Sequence, residues 1–242
     1  MPERGAVAFE GATIDYTVIR SRRRRKTIEI TLDHQDGVLI AVPWKTPRAH
    51  IADMVHRQAA WIVRNGNGSV NRSSRMQFVS GEVVPYLGKR ATLLVESGEA
   101  MRASVTFSHW ALKVVYPIGL AGEDRRSAIL RALEGWYRHR AAARLAERVN
   151  HWAHAGGREP QRVLIRGQRR RWGSCSADGT LRFNWRIVQL EPSLIDYVVV
   201  HELAHLRHRN HSARFWAEVA RVLPDYRLRR RLLKDAGPAI AL

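Results

Sequence analysis

The sequence holds a single cysteine, Cys175, in 242 residues. One thiol closes no intramolecular disulfide, which excludes a disulfide-stapled fold and suits a reducing compartment. No run of apolar residues approaches the roughly 18 needed to span a bilayer, so no transmembrane helix is expected. Met1-Pro2-Glu3-Arg4 leads into no apolar segment, so no secretory leader is expected and a cytoplasmic location is. Acidic residues are scarce, 22 against 41 basic, which leaves a net charge of +19. Lysine is scarce too: five of the basic residues are lysine and the rest arginine. Such a balance favours acidic partners, nucleic acid or nucleotide first among them, unless the arginines simply coat a solvated surface. Residues 1–120 carry 17 basic and 10 acidic groups, and residues 121–242 carry 24 and 12, so the second half is the more basic.

What is present fits a globular chain. Apolar residues make up 45%, which excludes wholesale disorder. The length suits one large domain or two small ones. The pattern is α+β. A strand-rich region with one helix occupies 1–120, and a second domain of helices with a strand pair occupies 121–242. Alternation predicts strands across 9–42, with Asp36-Gly37 as a turn and the basic run Arg22 to Lys26 as a solvated strand edge in preference to a phosphate contact. A helix is expected over 47–64 and a linker over the Asn, Gly and Ser residues of 65–74. Strands follow at 77–84, 90–96 and 103–116, with turns at Ser80-Gly81-Glu82 and Leu87-Gly88. No internal repeat is visible. From Glu123 to about Ala155 apolar residues recur at helical spacing, and Gly156-Gly157 ends that helix. Residues 161–188 read as a strand pair turning at Asp178-Gly179.

The chemistry concentrates in His201-Glu202-Leu203-Ala204-His205. On a helix, positions i and i+4 share a face one turn apart, so both imidazoles point at one ion. A helix is therefore expected over 192–208, opened by Pro192, although Val198-Val199-Val200 favour a strand by propensity. Two histidines four apart also occur in ordinary core helices. The glutamate between them and the apolar run before them argue for a metal, since burying these polar groups unpaired is costly. Three ligands plus a water make a catalytic zinc, with Glu202 as general base. The third ligand is His211, reached if Asn210 ends the helix, or Glu218, thirteen residues after His205. Methionines occur only at 1, 54, 76 and 101, so the downstream methionine that a metzincin needs is missing. Ser212 and Asp225 suit the caps of two further helices. Cys175 has no base beside it in sequence and reads as a packed core residue.

Arg171-Trp172-Gly173-Ser174-Cys175-Ser176, Asn184-Trp185-Arg186, Tyr197 to Leu206, Asn210-His211-Ser212 and Phe215-Trp216 together resemble the YgjP-like metallopeptidase family, a relative of the SprT-like zincins. The resemblance runs from about 20 to 235 and is strongest over 160–220. It implies a zincin-like catalytic domain, Zn2+ on His201, His205 and His211, Glu202 as base, and a protein or peptide substrate. SprT-like relatives act on proteins bound to DNA. The expected activity is zinc-dependent peptide hydrolysis, with Arg171 and Trp172 lining the cleft and Tyr226 or Arg171 donating to the oxyanion. Two alternatives stand beside it: hydrolysis of a nucleotide phosphoanhydride at the same metal, and a DNA-associated protein with a zinc site.

Overall fold

The computed structural model describes residues 3–10, 12–25, 27–33, 37–65, 76–168 and 171–236. The chain divides into two compact units, one ending at Met76 and one starting at Gln77. The change in character near 120 falls inside the second unit, where strands give way to a long helix. The expected linker, past Asn65, lies outside the described residues.

The first unit is a four-stranded sheet with two helices. Its strands are β1 (Glu3–Phe9), β2 (Ala12–Ser21), β3 (Glu29–Asp33) and β4 (Gly37–Pro43), in the order β1-β2-β4-β3. The β2–β4 pair is parallel and the outer pairs are antiparallel. Ile14, Tyr16, Val38 and Ile40 alternate onto one face and bury against Ile51, Val55, Ala59 and Ile62. Those four come from α1 (Arg48–Arg57) and α2 (Ala59–Asn65). The single helix expected over 47–64 is therefore two. At Gln58 the amide is shared between the carbonyls of Met54 and Val55, and the helix breaks there. β1 is a strand that the alternation pattern does not predict. It lies against β2 because Gly5 leaves room for the ring of Tyr16; a Cβ there would stand 2.3 Å from Tyr16 Cζ. Within the basic run, Arg22 covers the Trp44 ring at 4.9 Å and Arg24 pairs with Glu29 at 2.6 Å.

The second unit starts with the same topology. Its strands are β5 (Val83–Tyr86), β6 (Lys89–Gly98), β7 (Ser104–Ser108) and β8 (Ala111–Pro117), in the order β5-β6-β8-β7. Again the central pair is parallel and the outer pairs antiparallel. The registers correspond: Tyr16 faces Val38 in the first sheet as Leu93 faces Leu112 in the second. The fold is thus internally repeated, although no repeat is visible in the sequence. Alternation is preserved while the residues filling it change, Ile40 answering to Val114 and Ile14 to Ala91. The strand expected over 103–116 is a hairpin. His109 and Trp110 both adopt positive φ, at 48° and 57°. No glycine or asparagine announces that turn; Trp110 is held there by Phe107, ring centroids 5.7 Å apart, and by Lys89 at 4.7 Å.

α3 (Gly122–Gly156) is the scaffold of this unit, ended by Gly157 in the left-handed conformation (φ 67°). It buries Ile129, Leu133, Tyr137, Ala141, Leu145 and Val149. A second sheet, ordered β10-β11-β9, follows: β9 (Arg162–Arg166), β10 (Gly173–Cys175) and β11 (Thr180–Asn184). The return strand stops at Asn184, short of the expected Val188. There the Asn184 side chain accepts from the Arg186 amide and opens a 3-10 helix, Trp185–Gln189. The Leu87-Gly88 turn donates its two amides to the carbonyls of Val188 and Gln189. α4 (Pro192–Ala204) comes next, buried along most of its length, and Arg148 of α3 grips its Asp196 with two bonds of 2.6 and 3.0 Å. α5 (Ala213–Val222) and α6 (Tyr226–Ala236) close the unit. Among the described residues no helix is long and apolar enough to cross a membrane.

Candidate metal centre

α4 does adopt the helix that the His-Glu segment requires. Nine of its thirteen residues are buried, so the three valines are held by packing that outweighs their propensity. The helix ends at Ala204, earlier than expected, and Asn210 is not its terminus. The amides of Arg207 and His208 both bond the Ala204 carbonyl, at 3.1 and 3.0 Å, which peels the chain away from the helical path. That turn places the His208 carbonyl 3.0 Å from His205 Nδ1. The His205 ring is thereby oriented with Nε2 free to face an ion, the usual support for a ligating imidazole.

After the turn, the chain brings His211 back over α4. The three histidines form a near-equilateral triangle, with ring centroids 4.9 Å apart for His201–His205, 5.0 Å for His201–His211 and 4.8 Å for His205–His211. One nitrogen from each lies within 4.8 Å of the others. Nε2 of His201 and Nε2 of His211 stand 3.1 Å apart. Two nitrogens each about 2.0–2.1 Å from one tetrahedral zinc are separated by about 3.3 Å, so the spacing fits. Burial, reinforced by His205 and His211, pushes the His201 pKa down to about 3, and burial also lowers that of His205. Both imidazoles are therefore neutral at physiological pH, as ligation requires. Glu218, the alternative third ligand, is not in the cluster; it pairs with Arg221 at 3.0 Å and Arg207 at 3.6 Å.

Glu202 is 6% exposed, and burial raises its pKa to about 7, opposed only by the charge of Arg171. A carboxyl poised near neutrality suits a general base. Its carboxylate lies against Gly173 of β10: a Cβ there would stand 2.7 Å from both Glu202 Cγ and Oε1. Gly173 is a requirement for space, not for backbone freedom, since its φ is not positive. Gly173→Ala should therefore displace Glu202 and lower kcat by about a hundredfold while zinc affinity stays within a few-fold, measured by steady-state kinetics and chelator competition.

Two residues that sequence reasoning left out of the site belong to it. Phe215 is fully buried and touches all three imidazoles, with centroid distances of 5.0, 4.6 and 4.8 Å to His201, His205 and His211. Trp216 stacks on His211 at 5.6 Å. Their sequence signals are their part in the family resemblance and their position on the first turn of a helix capped by the Ser212 hydroxyl, neither of which gives them a place beside the imidazoles. Tyr226, expected near the oxyanion, is one ring further out: it stacks on the other neighbour of that ladder, Trp216, at 5.4 Å, and its hydroxyl accepts from Arg227. Arg171 is exposed and Trp172 half-buried, both just ahead of β10. Asn184 is bonded to this segment, its side chain donating to the carbonyls of Gln168 (2.6 Å) and Arg171 (3.4 Å) and its backbone amide donating to the Trp172 carbonyl. Cys175 is half-buried, and burial pushes its thiol pKa up, which disfavours the thiolate form.

No curated protein matches the chain. Two solved structures are similar to part of it. The metallopeptidase zymogen abylysin of Pyrococcus abyssi is 26% identical over 38% of this chain and 93% of its own, with a TM-score of 0.35. The metallopeptidase zymogen jannalysin of Methanocaldococcus jannaschii is 22% identical over 38% of this chain and 95% of its own, with a TM-score of 0.32. The model of the YgjP-like metallopeptidase domain matches residues 26–236, nearly the whole chain and all of the histidine cluster. On that match the chain belongs to the YgjP-like family of metallopeptidase domains.

Proposed function

We propose that the protein is a zinc-dependent peptidase whose metal is held by His201, His205 and His211 and whose general base is Glu202. The observation that carries this reading is the convergence of three imidazoles beside one buried carboxyl. Zinc bound there supplies a polarised water, with a pKa near ~7, and a Lewis acid for the carbonyl oxygen. Glu202 takes the proton of the attacking water and delivers it to the leaving amine. Gly173 keeps Glu202 in reach. Phe215 walls the site with an apolar ring and Trp216 fixes the exposed His211. Among the described residues β10 pairs with β11 alone, and its other edge would take an extended peptide that adds to the sheet beside Glu202. Arg171 and Trp172 would border that peptide.

Arginines near the metal equally suit phosphates, which keeps one second reading, hydrolysis of a nucleotide phosphoanhydride. Zinc-loaded and chelator-stripped protein should be incubated separately with an unfolded protein and with nucleoside triphosphates. Zinc-dependent cleavage of the polypeptide supports the proposal. Release of phosphate or pyrophosphate with the polypeptide intact overturns it in favour of the second reading.

A further inference from the structure

Three arginines neighbour residues of the site, and none has a carboxylate partner among the described residues. Arg171 is exposed and sits two residues ahead of Gly173, where a Cβ would overlap the Glu202 side chain. Arg209, two residues before His211, is exposed and spends one nitrogen on the Ala177 carbonyl at 3.0 Å, just past the end of β10. Arg230 of α6 is exposed and covers the Trp216 ring at 4.8 Å, on the ring that stacks against His211. The nearby carboxylates are occupied. Asp178 accepts from Ser176 and Thr180, Glu218 is held by two arginines, and Glu202 is the buried base.

We propose that the peptide cut at this site is acidic, with carboxylate side chains on both sides of the scissile bond, one side met by Arg171 and the other by Arg209 and Arg230. The inference rests on the peptidase reading above. Arg171 and Ala177 bracket β10, six residues apart. An extended peptide rising about 3.3 Å per residue along that edge places its second or third residue on either side of the cut opposite a guanidinium. Unpaired cations at the mouth of a cleft attract acidic ligands and repel basic ones, so they select as well as bind.

The test uses three fluorogenic peptides with one neutral core, carrying Glu, Gln or Lys at the second and third positions on both sides of the cut. The zinc-loaded protein should cleave them in the order Glu, Gln, Lys, with kcat/KM falling about tenfold at each step and the spread narrowing as salt rises. Arg171→Glu and Arg230→Glu should each reverse the Glu-over-Lys preference on one side only, read from peptides charged on that side alone. Equal cleavage of all three peptides by the parent, or faster cleavage of the Lys peptide, overturns this inference and leaves the peptidase intact. Cleavage of none overturns both.

Discussion

Glu202→Gln should lower peptide turnover by about a thousandfold while zinc stays bound at one equivalent. The variant removes the proton acceptor but keeps the side chain's shape against Gly173, and general bases contribute roughly 10²–10⁴-fold. The same substitution has a second, opposite effect on stability. In the metal-free protein Glu202 has its pKa raised from 4.5 to about 7 by burial. A raised carboxyl binds its proton more tightly folded than unfolded. Its contribution to stability is full below pH 4.5, falls as pH rises from 4.5 to 7, and is lost above 7. At about 1.4 kcal/mol per unit, the loss is about 3 kcal/mol. His201 and His205, whose pKa values burial lowers, act in the opposite sense over part of this range but are common to both proteins. In denaturant unfolding of the metal-free proteins, the stability of the parent minus that of the Gln variant should therefore fall by about this amount between pH 4.5 and 8. A Gln variant with parental turnover, or with the parental pH slope, contradicts the burial and role assigned to Glu202.

The second large effect is expected at His211. Its ring is exposed, so removing it costs little packing, and the fold should survive His211→Ala. Loss of one of three nitrogen ligands should weaken zinc by at least about a hundredfold, more than the loss of an orienting partner. Turnover at limiting zinc should fall with it. Chelator competition measures the affinity directly. Glu218→Ala is the control, because Glu218 is engaged with Arg221 and Arg207 away from the imidazoles. It should retain zinc within a few-fold. Zinc lost from the Glu218 variant and kept by the His211 variant would exchange the two assignments.

The features legible in the sequence are those set by local periodicity or by a demanding spacing. α3 follows from apolar residues at helical intervals ended by two glycines. α4 follows from the geometry that His201 and His205 need, against the propensity of three valines. The features that were not legible depend on three-dimensional contacts that no residue pattern signals. The His109-Trp110 turn uses residues that rarely take positive φ and is stabilised by Phe107 and Lys89 on neighbouring strands. The end of α4 depends on how two amides compete for the Ala204 carbonyl, and no residue type announces that. The repeated sheet escaped notice because its two copies share alternation and register but not residue identity. Gly173 was visible in the motif, yet its purpose appears only once α4 lays Glu202 against it. Phe215 reads from sequence as one more apolar residue on a helix; in three dimensions it touches every imidazole of the cluster.

The most direct test of the zinc assignment is the X-ray absorption spectrum of the zinc-loaded protein at the metal edge. Three histidine nitrogens at about 2.0–2.1 Å with one oxygen, and no sulfur, is the predicted shell. A sulfur scatterer near ~2.3 Å, which only Cys175 or a methionine could supply, or a six-coordinate shell of oxygens without imidazole, would contradict it.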